Sequence, residues 1–206
     1  MIKYKVSNLN FISKYLDLYK RCFEDYDRNI DYLKWLYSEN PKGDFIGIDA
    51  FDGDKLVGQI GGIPLNFRFF NRPIKTLVSI NICIDKSYRG SRIFFNLARI
   101  LESHLIENDF ELLIGIGNKI ATPAWIRSIK LKYLCQLKAF FGFYDFSKSY
   151  PLIKNYNLYV DWTDELIKWR CLNPYNKTRI FNYKNKQLIH AKTAIPFANV
   201  YSPFPF

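Results

Sequence analysis

The stretch Ser87-Tyr88-Arg89-Gly90-Ser91-Arg92-Ile93-Phe94 gathers two guanidinium groups, three hydroxyls and a glycine. These are the residue types that hold a phosphate. The stretch follows a β-branched run, Leu77-Val78-Ser79-Ile80-Asn81-Ile82-Cys83-Ile84, and opens a helical pattern that lasts to about Asn108. A strand, a basic turn and a helix in that order aim the unpaired first N–H groups of the helix, at the positive end of its dipole, toward a ligand. Gly90 reaches positive φ without strain and has no side chain to block approach. Arg89 and Arg92 add charge where a pyrophosphate would lie. The spacing predicts a phosphate-bearing cofactor; an ordinary turn before a helix uses the same residues, and local spacing alone leaves both open.

Other chemistries are poorly supplied. Cys22, Cys83, Cys135 and Cys171 are scattered, and His104 and His190 lie far from one another and from any cysteine cluster. The sequence therefore predicts no metal site and no disulfide framework, in keeping with a reducing, cytoplasmic setting. Met1-Ile2-Lys3-Tyr4-Lys5 lacks a hydrophobic signal core, and no apolar run reaches the roughly 18 residues that span a bilayer. Net charge is +11, yet the basic residues are dispersed and form no nucleic-acid motif. The excess suits an anionic membrane surface or small phosphorylated ligands rather than nucleic acid.

The elements that must position the turn follow from periodicity. Phe11, Tyr15, Leu16, Tyr19 and Phe23 have helical spacing between Asn8 and about Asp25, and a second helix covers Ile30 to Ser38 before Asn40-Pro41. A strand at Phe45 to Ala50 turns at Asp52-Gly53-Asp54 into its partner, Leu56 to Ile63. Phe67 to Phe70, a turn at Asn71-Arg72-Pro73, and a strand ending at Ile84 continue the meander. Past the central helix come a short strand at Glu111 to Ile116, a helix from Pro123 to Lys130 and an aromatic strand from Tyr133 to Tyr144. With 206 residues, 49% of them hydrophobic, the chain holds one full domain and a small addition, an α/β fold on a mixed sheet.

That addition repeats an earlier pattern. Leu33-Lys34-Trp35-Leu36-Tyr37 with Asn40-Pro41 returns as Ile167-Lys168-Trp169-Arg170-Cys171 with Asn173-Pro174, and Gly62-Ile63-Pro64-Leu65 returns as Ala194-Ile195-Pro196-Phe197. Two matches in order predict a C-terminal partial repeat of the N-terminal half, with a domain over 1–149 and an extension over 150–206.

Residues 1 to about 146 resemble the GNAT superfamily of N-acyltransferases. The resemblance rests on Cys83 to Phe94, Gly115-Ile116-Gly117-Asn118 and Pro123-Ala124-Trp125-Ile126. It is nearest to a branch from bacterial surface-polysaccharide clusters. The superfamily's Arg/Gln-x-x-Gly-x-Gly/Ala loop reads Arg89-Gly90-Ser91-Arg92-Ile93-Phe94 here, with both later small positions filled by Arg92 and Phe94. The resemblance implies a GNAT-like, mostly antiparallel sheet flanked by helices. It also implies acetyl-CoA, or another acyl-CoA, in a V-shaped gap, with pantetheine on the strand edge at Ile82, Cys83 and Ile84. The pyrophosphate would sit on Arg89, Gly90, Ser91, Arg92, Ile93 and Phe94, with Asn118 beside the cofactor.

Acyl transfer to an amine needs a neutral amine, a donor for the oxyanion and a proton for the departing thiolate. Asn81 and Cys83 lie one strand repeat apart, Asn81 suited to substrate and neither suited as a base. Asp85 is the nearest carboxylate and the candidate catalytic base; as a turn residue or a partner of Arg89 it has an equally sufficient role. Where relatives carry a tyrosine, Thr122 is the available hydroxyl, and it also suits a helix cap. The implied reaction moves an acetyl group to a primary amine of a small molecule such as an amino sugar. Two alternatives stay open: a non-catalytic interaction module that pairs as a homodimer, and transfer from acyl-carrier protein.

Overall fold

The computed structural model describes residues 1–136, 157–176, 178–183, 186–192 and 199–203. The chain runs β1 (Ile2–Val6), α1 (Ile12–Cys22), α2 (Ile30–Tyr37), β2 (Ile46–Asp52), β3 (Lys55–Phe69), β4 (Arg72–Ser79) and β5 (Cys83–Ile84). It continues through α3 (Ile93–Glu107), β6 (Leu112–Gly115), α4 (Ala121–Ile129), β7 (Leu158–Val160), α5 (Asp164–Cys171), β8 (Thr178–Tyr183), β9 (Lys186–Lys192) and β10 (Asn199–Pro203). The main sheet has the order β1-β2-β3-β4-β6 and is antiparallel except where β6 joins β4. β8, β9 and β10 form a second, three-stranded sheet. Among the described residues, no helix is long and apolar enough to cross a membrane.

The element order expected from periodicity is present, with differences that have local causes. The N-terminal edge strand β1 was not expected, although Ile2-Lys3-Tyr4-Lys5-Val6 alternates at the strand period; Ile2 and Tyr4 pack on the core while Lys3 and Lys5 face water. The two strands expected at Leu56–Ile63 and Phe67–Phe70 are one continuous β3: Pro64, although it has no N–H to donate, pairs with Leu77 without ending the ladder. The turn that begins β3 pairs Asp52 with Lys55 around Gly53, whose φ of 58° suits the first position of a tight hairpin loop. Tyr133 to Gln136 are not in a strand; the rest of the aromatic run, the boundary at 149/150 and the Ala194-Ile195-Pro196-Phe197 echo lie outside the described residues.

Two hydrophobic layers cover the main sheet. On one face Ile48, Ala50, Val57, Ile60 and Leu77 pack against Ile93, Leu97, Ala98, Leu101 and Leu105 of α3. Those α3 residues recur at helical spacing and form one buried stripe. On the other face Phe51, Leu56, Ile63 and Cys83 meet Tyr15, Leu18 and Tyr19 of α1 and Leu33, Trp35 and Leu36 of α2.

α5 packs into this second layer through Leu166 and Trp169. Like α2 it is eight residues long and side-chain capped: Asn29 accepts from the Tyr32 N–H, and Thr163 from the Leu166 N–H. Trp35 and Trp169 stack with ring centres 4.8 Å apart. Each indole N–H donates to the other's backbone carbonyl, at 2.8 and 2.9 Å. Both aromatic area and two buried hydrogen bonds thus depend on one pair. Trp169→Ala is expected to cost about 3–5 kcal/mol in denaturant unfolding, and adding Trp35→Ala should cost far less than it does alone. Fully additive losses would show that the two indoles act separately.

Candidate functional site

The site is built around one extra residue. From Gly62 back to Gln59 β3 takes three steps, whereas its partner takes four, from Ser79 to Cys83. The surplus is a β-bulge over Ile80, Asn81 and Ile82, with Asn81 left-handed at φ 49°. The strand expected to run unbroken to Ile84 is therefore divided into β4 and β5. The insertion also reverses the side-chain phase. Val78 and Ile80 face the α1 layer before it, whereas Ile82 and Ile84 face the α3 layer after it.

β6 follows β4 in parallel only from Thr76–Leu112 to Ser79–Gly115. Past that point Ile116, Gly117 and Asn118 are exposed, and the edge from Ile80 to Ile84 has no strand beside it among the described residues. Because the Asp85 N–H turns inward to the Val57 carbonyl, alternation points the N–H groups of Ile84 and Ile82 outward into the gap.

The basic turn closes the same end of the sheet. Tyr88 donates to Asp52 at 2.9 Å, and Ser91 Oγ donates to the Tyr88 carbonyl at 2.6 Å. Gly90 sits exposed at φ 79°, with no atom within 4 Å of where a Cβ would stand. α3 then begins at Ile93 with no side-chain cap from Arg92; among its first N–H groups, that of Ile93 donates weakly to Ser91 Oγ at 3.5 Å. Arg92 is exposed beside them. Arg89 folds back instead, bonding the carbonyls of Ile84 (3.2 Å) and Cys22 (3.5 Å). Phe94, one of the two departures from small residues, makes an edge contact with Trp125 of α4 at 5.5 Å. It belongs to the packing between the two helices.

Asp85 is buried and tightly bound. It accepts from Arg21 Nε at 2.9 Å and from the Ser87 N–H at 3.1 Å, with Lys55 Nζ at 3.4 Å. Burial alone would raise its pKa; the Arg21, Ser87 and Lys55 contacts outweigh it and hold the carboxyl below the ordinary range. A carboxylate so stabilised is a poor proton acceptor, and its position is that of a structural ion pair. Cys83 is buried, and burial followed by the neighbouring Cys22 pushes its thiol well up, which suits a small core residue.

The expected cap of α4 belongs to Asn118, not to Thr122. Asn118 Oδ1 accepts from the N–H groups of Ile120 (3.0 Å) and Ala121 (2.8 Å). Thr122 lies inside the first turn, its hydroxyl so close to Gly117 that a Cβ there would stand 2.4 Å away. Gly117 is therefore a position of close approach.

Behind Asn81 lies a buried polar network that joins Tyr15 and Tyr19, read from periodicity only as one face of a helix, to Asp49 and Gln59, which periodicity did not single out. The Asn81 amide Nδ2 donates to Tyr37 OH at 3.0 Å, Tyr37 meets Tyr19 OH at 2.5 Å, and Tyr19 donates to Gln59 Oε1. Gln59 Nε2 donates to Asp49 at 2.9 Å, and Ser7 and Tyr15 donate to the same carboxylate at 2.7 and 2.8 Å. Tyr19, Tyr37, Gln59 and Asp49 are all fully buried. Burial raises the pKa of Asp49 against its three donors, and raises those of Tyr19 and Tyr37 well above the phenol value. The signal was present: Asp49 and Gln59 are the polar residues inside two otherwise apolar strand runs, and they sit opposite each other in register.

Comparison with known proteins agrees with this fold. The chain is 30% identical over 140 residues to a glycylpeptide N-tetradecanoyltransferase of Dictyostelium discoideum, a match covering 60% of this chain and 33% of that protein. It thus spans about a third of the length of that relative. Among solved structures, a predicted acetyltransferase from Clostridium acetobutylicum, crystallised with acetyl-CoA, superposes with a TM-score of 0.55 at 14% identity, covering 68% of this chain and 96% of that one. Glucosamine-6-phosphate N-acetyltransferase from Arabidopsis thaliana gives 0.54 at 10% identity, over 69% and 99%. The sequence profile of the acetyltransferase (GNAT) domain matches residues 3–122, and the chain belongs to that family of acyltransferases.

Proposed function

We propose that this domain transfers an acyl group from acyl-CoA to the primary amine of a small molecule. One coincidence supports the reading above all: the unpaired edge at Ile82 and Ile84 and the start of α3, where Arg92 adds no cap and only Ser91 Oγ weakly meets the Ile93 N–H, open at the same end of the sheet. Such an edge matches the amides of pantetheine, and such a helix end matches a pyrophosphate. The open space at Gly90 fits the approach of a phosphate. When bound, acyl-CoA supplies a thioester whose carbonyl carbon accepts the amine.

In this reading the N–H groups of Ile82 and Ile84, on either side of Cys83, orient the donor and offer a hydrogen bond to the developing oxyanion. Gly90, Ser91, Arg92, Ile93 and Phe94 hold the phosphates. Asn118 keeps the β6 side of the gap in shape through its cap, and the Thr122 hydroxyl lies beside it as a hydrogen-bond donor toward the leaving sulfur. The new C–N bond forms as the C–S bond breaks, and the amine's proton leaves to solvent rather than to Asp85.

Acetyl is the acyl group the motif resemblance suggests, and an amino sugar the acceptor; the tetradecanoyl transferases among the relatives make a long chain the other arm of the test. A calorimetric titration with acetyl-CoA, tetradecanoyl-CoA and CoA checks the reading. Micromolar binding is expected for at least one acyl-CoA. Gly90→Val should weaken it tenfold or more in a folded protein, because a β-branched residue is strained at φ 79°. Unchanged affinity in that variant would contradict the assigned phosphate site.

Asp85→Asn separates structure from chemistry. Because the folded pKa is lowered, the contribution of Asp85 is present above the unfolded value of about 4 and lost as pH falls through the folded one. The variant should lose about 1–3 kcal/mol at pH 7, with the difference from wild type vanishing in acid. Its acyl-transfer rate should fall less than tenfold; a thousandfold loss in a folded variant would make Asp85 the base.

A further inference from the structure

Two cavities meet at Asn81 on the α1 side of the sheet. One, of about 290 Å³, is lined by Leu36, Ile63, Leu65, Val78 and Ile80, by Trp162 and Trp169, and by Arg170. The other, of about 240 Å³, is lined by Phe23, Tyr26, Arg28 and Tyr32. Tyr32 and Asn81 border both. The Tyr26 hydroxyl is buried there without a hydrogen-bond partner among the described residues, an unmet polar atom that a ligand would satisfy.

The buried chain behind Asn81 decides which end of its amide faces these cavities. Asp49 only accepts, so Gln59 must turn its NH₂ toward it and its carbonyl toward Tyr19. Tyr19 spends its single proton on that carbonyl, hence Tyr37 must donate to Tyr19. Tyr37 then has only a lone pair for Asn81, which must present its NH₂ inward. With its NH₂ committed to Tyr37, Asn81 keeps Oδ1 as an acceptor beside the two cavities that the residue lines.

Arg170, which also lines the larger cavity, has no carboxylate partner among the described residues, and its guanidinium lies 5.9 and 5.7 Å from the ring centres of Trp35 and Trp169. Arg28, by contrast, is paired with Asp27. The cavity that Asn81 and Arg170 both line is otherwise walled by aliphatic side chains and by the rings of Tyr32, Trp162 and Trp169, a mainly apolar surface that suits an apolar spacer.

We propose that this cavity receives the acceptor, and that the acceptor is a primary amine joined by an apolar spacer to an anionic group. Asn81 Oδ1 accepts from the amine, and Arg170 pairs with the anion. The inference rests on the acyl-transfer reading for the fate of the amine, but not for its binding.

The test therefore uses binding without acyl donor, read by the fluorescence of the cavity tryptophans. The probes are 6-aminohexanoate, 6-aminohexyl phosphate, hexylamine, hexanoate and glucosamine 6-phosphate. 6-Aminohexanoate or the aminohexyl phosphate should bind at least tenfold more tightly than hexylamine, hexanoate and the amino sugar phosphate, and their relative strength identifies the anion. Arg170→Gln should erase the preference over hexylamine, Arg170→Lys should keep part of it, and Asn81→Leu should weaken every amine. Equal binding of hexylamine, a preference that survives Arg170→Gln, tighter binding of glucosamine 6-phosphate, or no binding of any probe would overturn the proposal. Loss of acyl-CoA affinity in the calorimetric titration would leave this result untouched, so the two readings fail separately.

Discussion

The site depends on the single residue by which the strand from Arg72 to Ile84 exceeds its partner. A regular ladder would carry β4 straight past β3 and leave Asn81 in line with its neighbours. The bulge at φ 49° turns the chain instead. It brings the amide of Asn81 against Tyr37, shifts the side-chain phase of Ile82 and Ile84 onto α3, and leaves β6 paired only as far as Gly115. The split in the sheet and the orientation of the polar residue beside it have one origin. Bulges re-aim side chains next to functional sites for this reason.

What holds the bulge in place is polar and buried. Asp49, with no exposed surface, anchors a series of hydrogen bonds that crosses from β2 to β3 to α1 to α2 and ends at the bulge. Apolar residues would fill that volume at lower desolvation cost, but they would not specify direction. A carboxylate that can only accept fixes the polarity of each successive donor. The same layer is closed from outside by the stacked pair of Trp35 and Trp169, so α5 borders the larger cavity as well as the core.

Much of the architecture was legible in the sequence because periodicity reports burial directly. The α3 stripe, the Gly53 hairpin and the basic turn before Ile93 were all read from residue spacing. The expectation of a mixed, mostly antiparallel GNAT-like sheet agrees with the fold. The bulge was not legible, since a run of β-branched residues reads as one strand whether or not a residue is inserted. Nor were the partners of Asp85, because Arg21 and Lys55 lie far from it along the chain. Thr122 was expected as a cap because Pro123 follows it, but the chain starts its helix earlier and takes the cap from Asn118. The Asp49–Gln59 pair left a faint trace, polar residues at inward strand positions, that only the register converts into a contact.

The split edge and the α3 start are expected to act together on one ligand. Residue-resolved amide hydrogen exchange, with and without saturating CoA, addresses that claim most directly. Exchange should slow at least tenfold at Ile82 and Ile84 and, in the same titration, across residues 91–95. Binding of CoA that protects neither stretch, or that protects amides elsewhere and leaves these two unchanged, would contradict it.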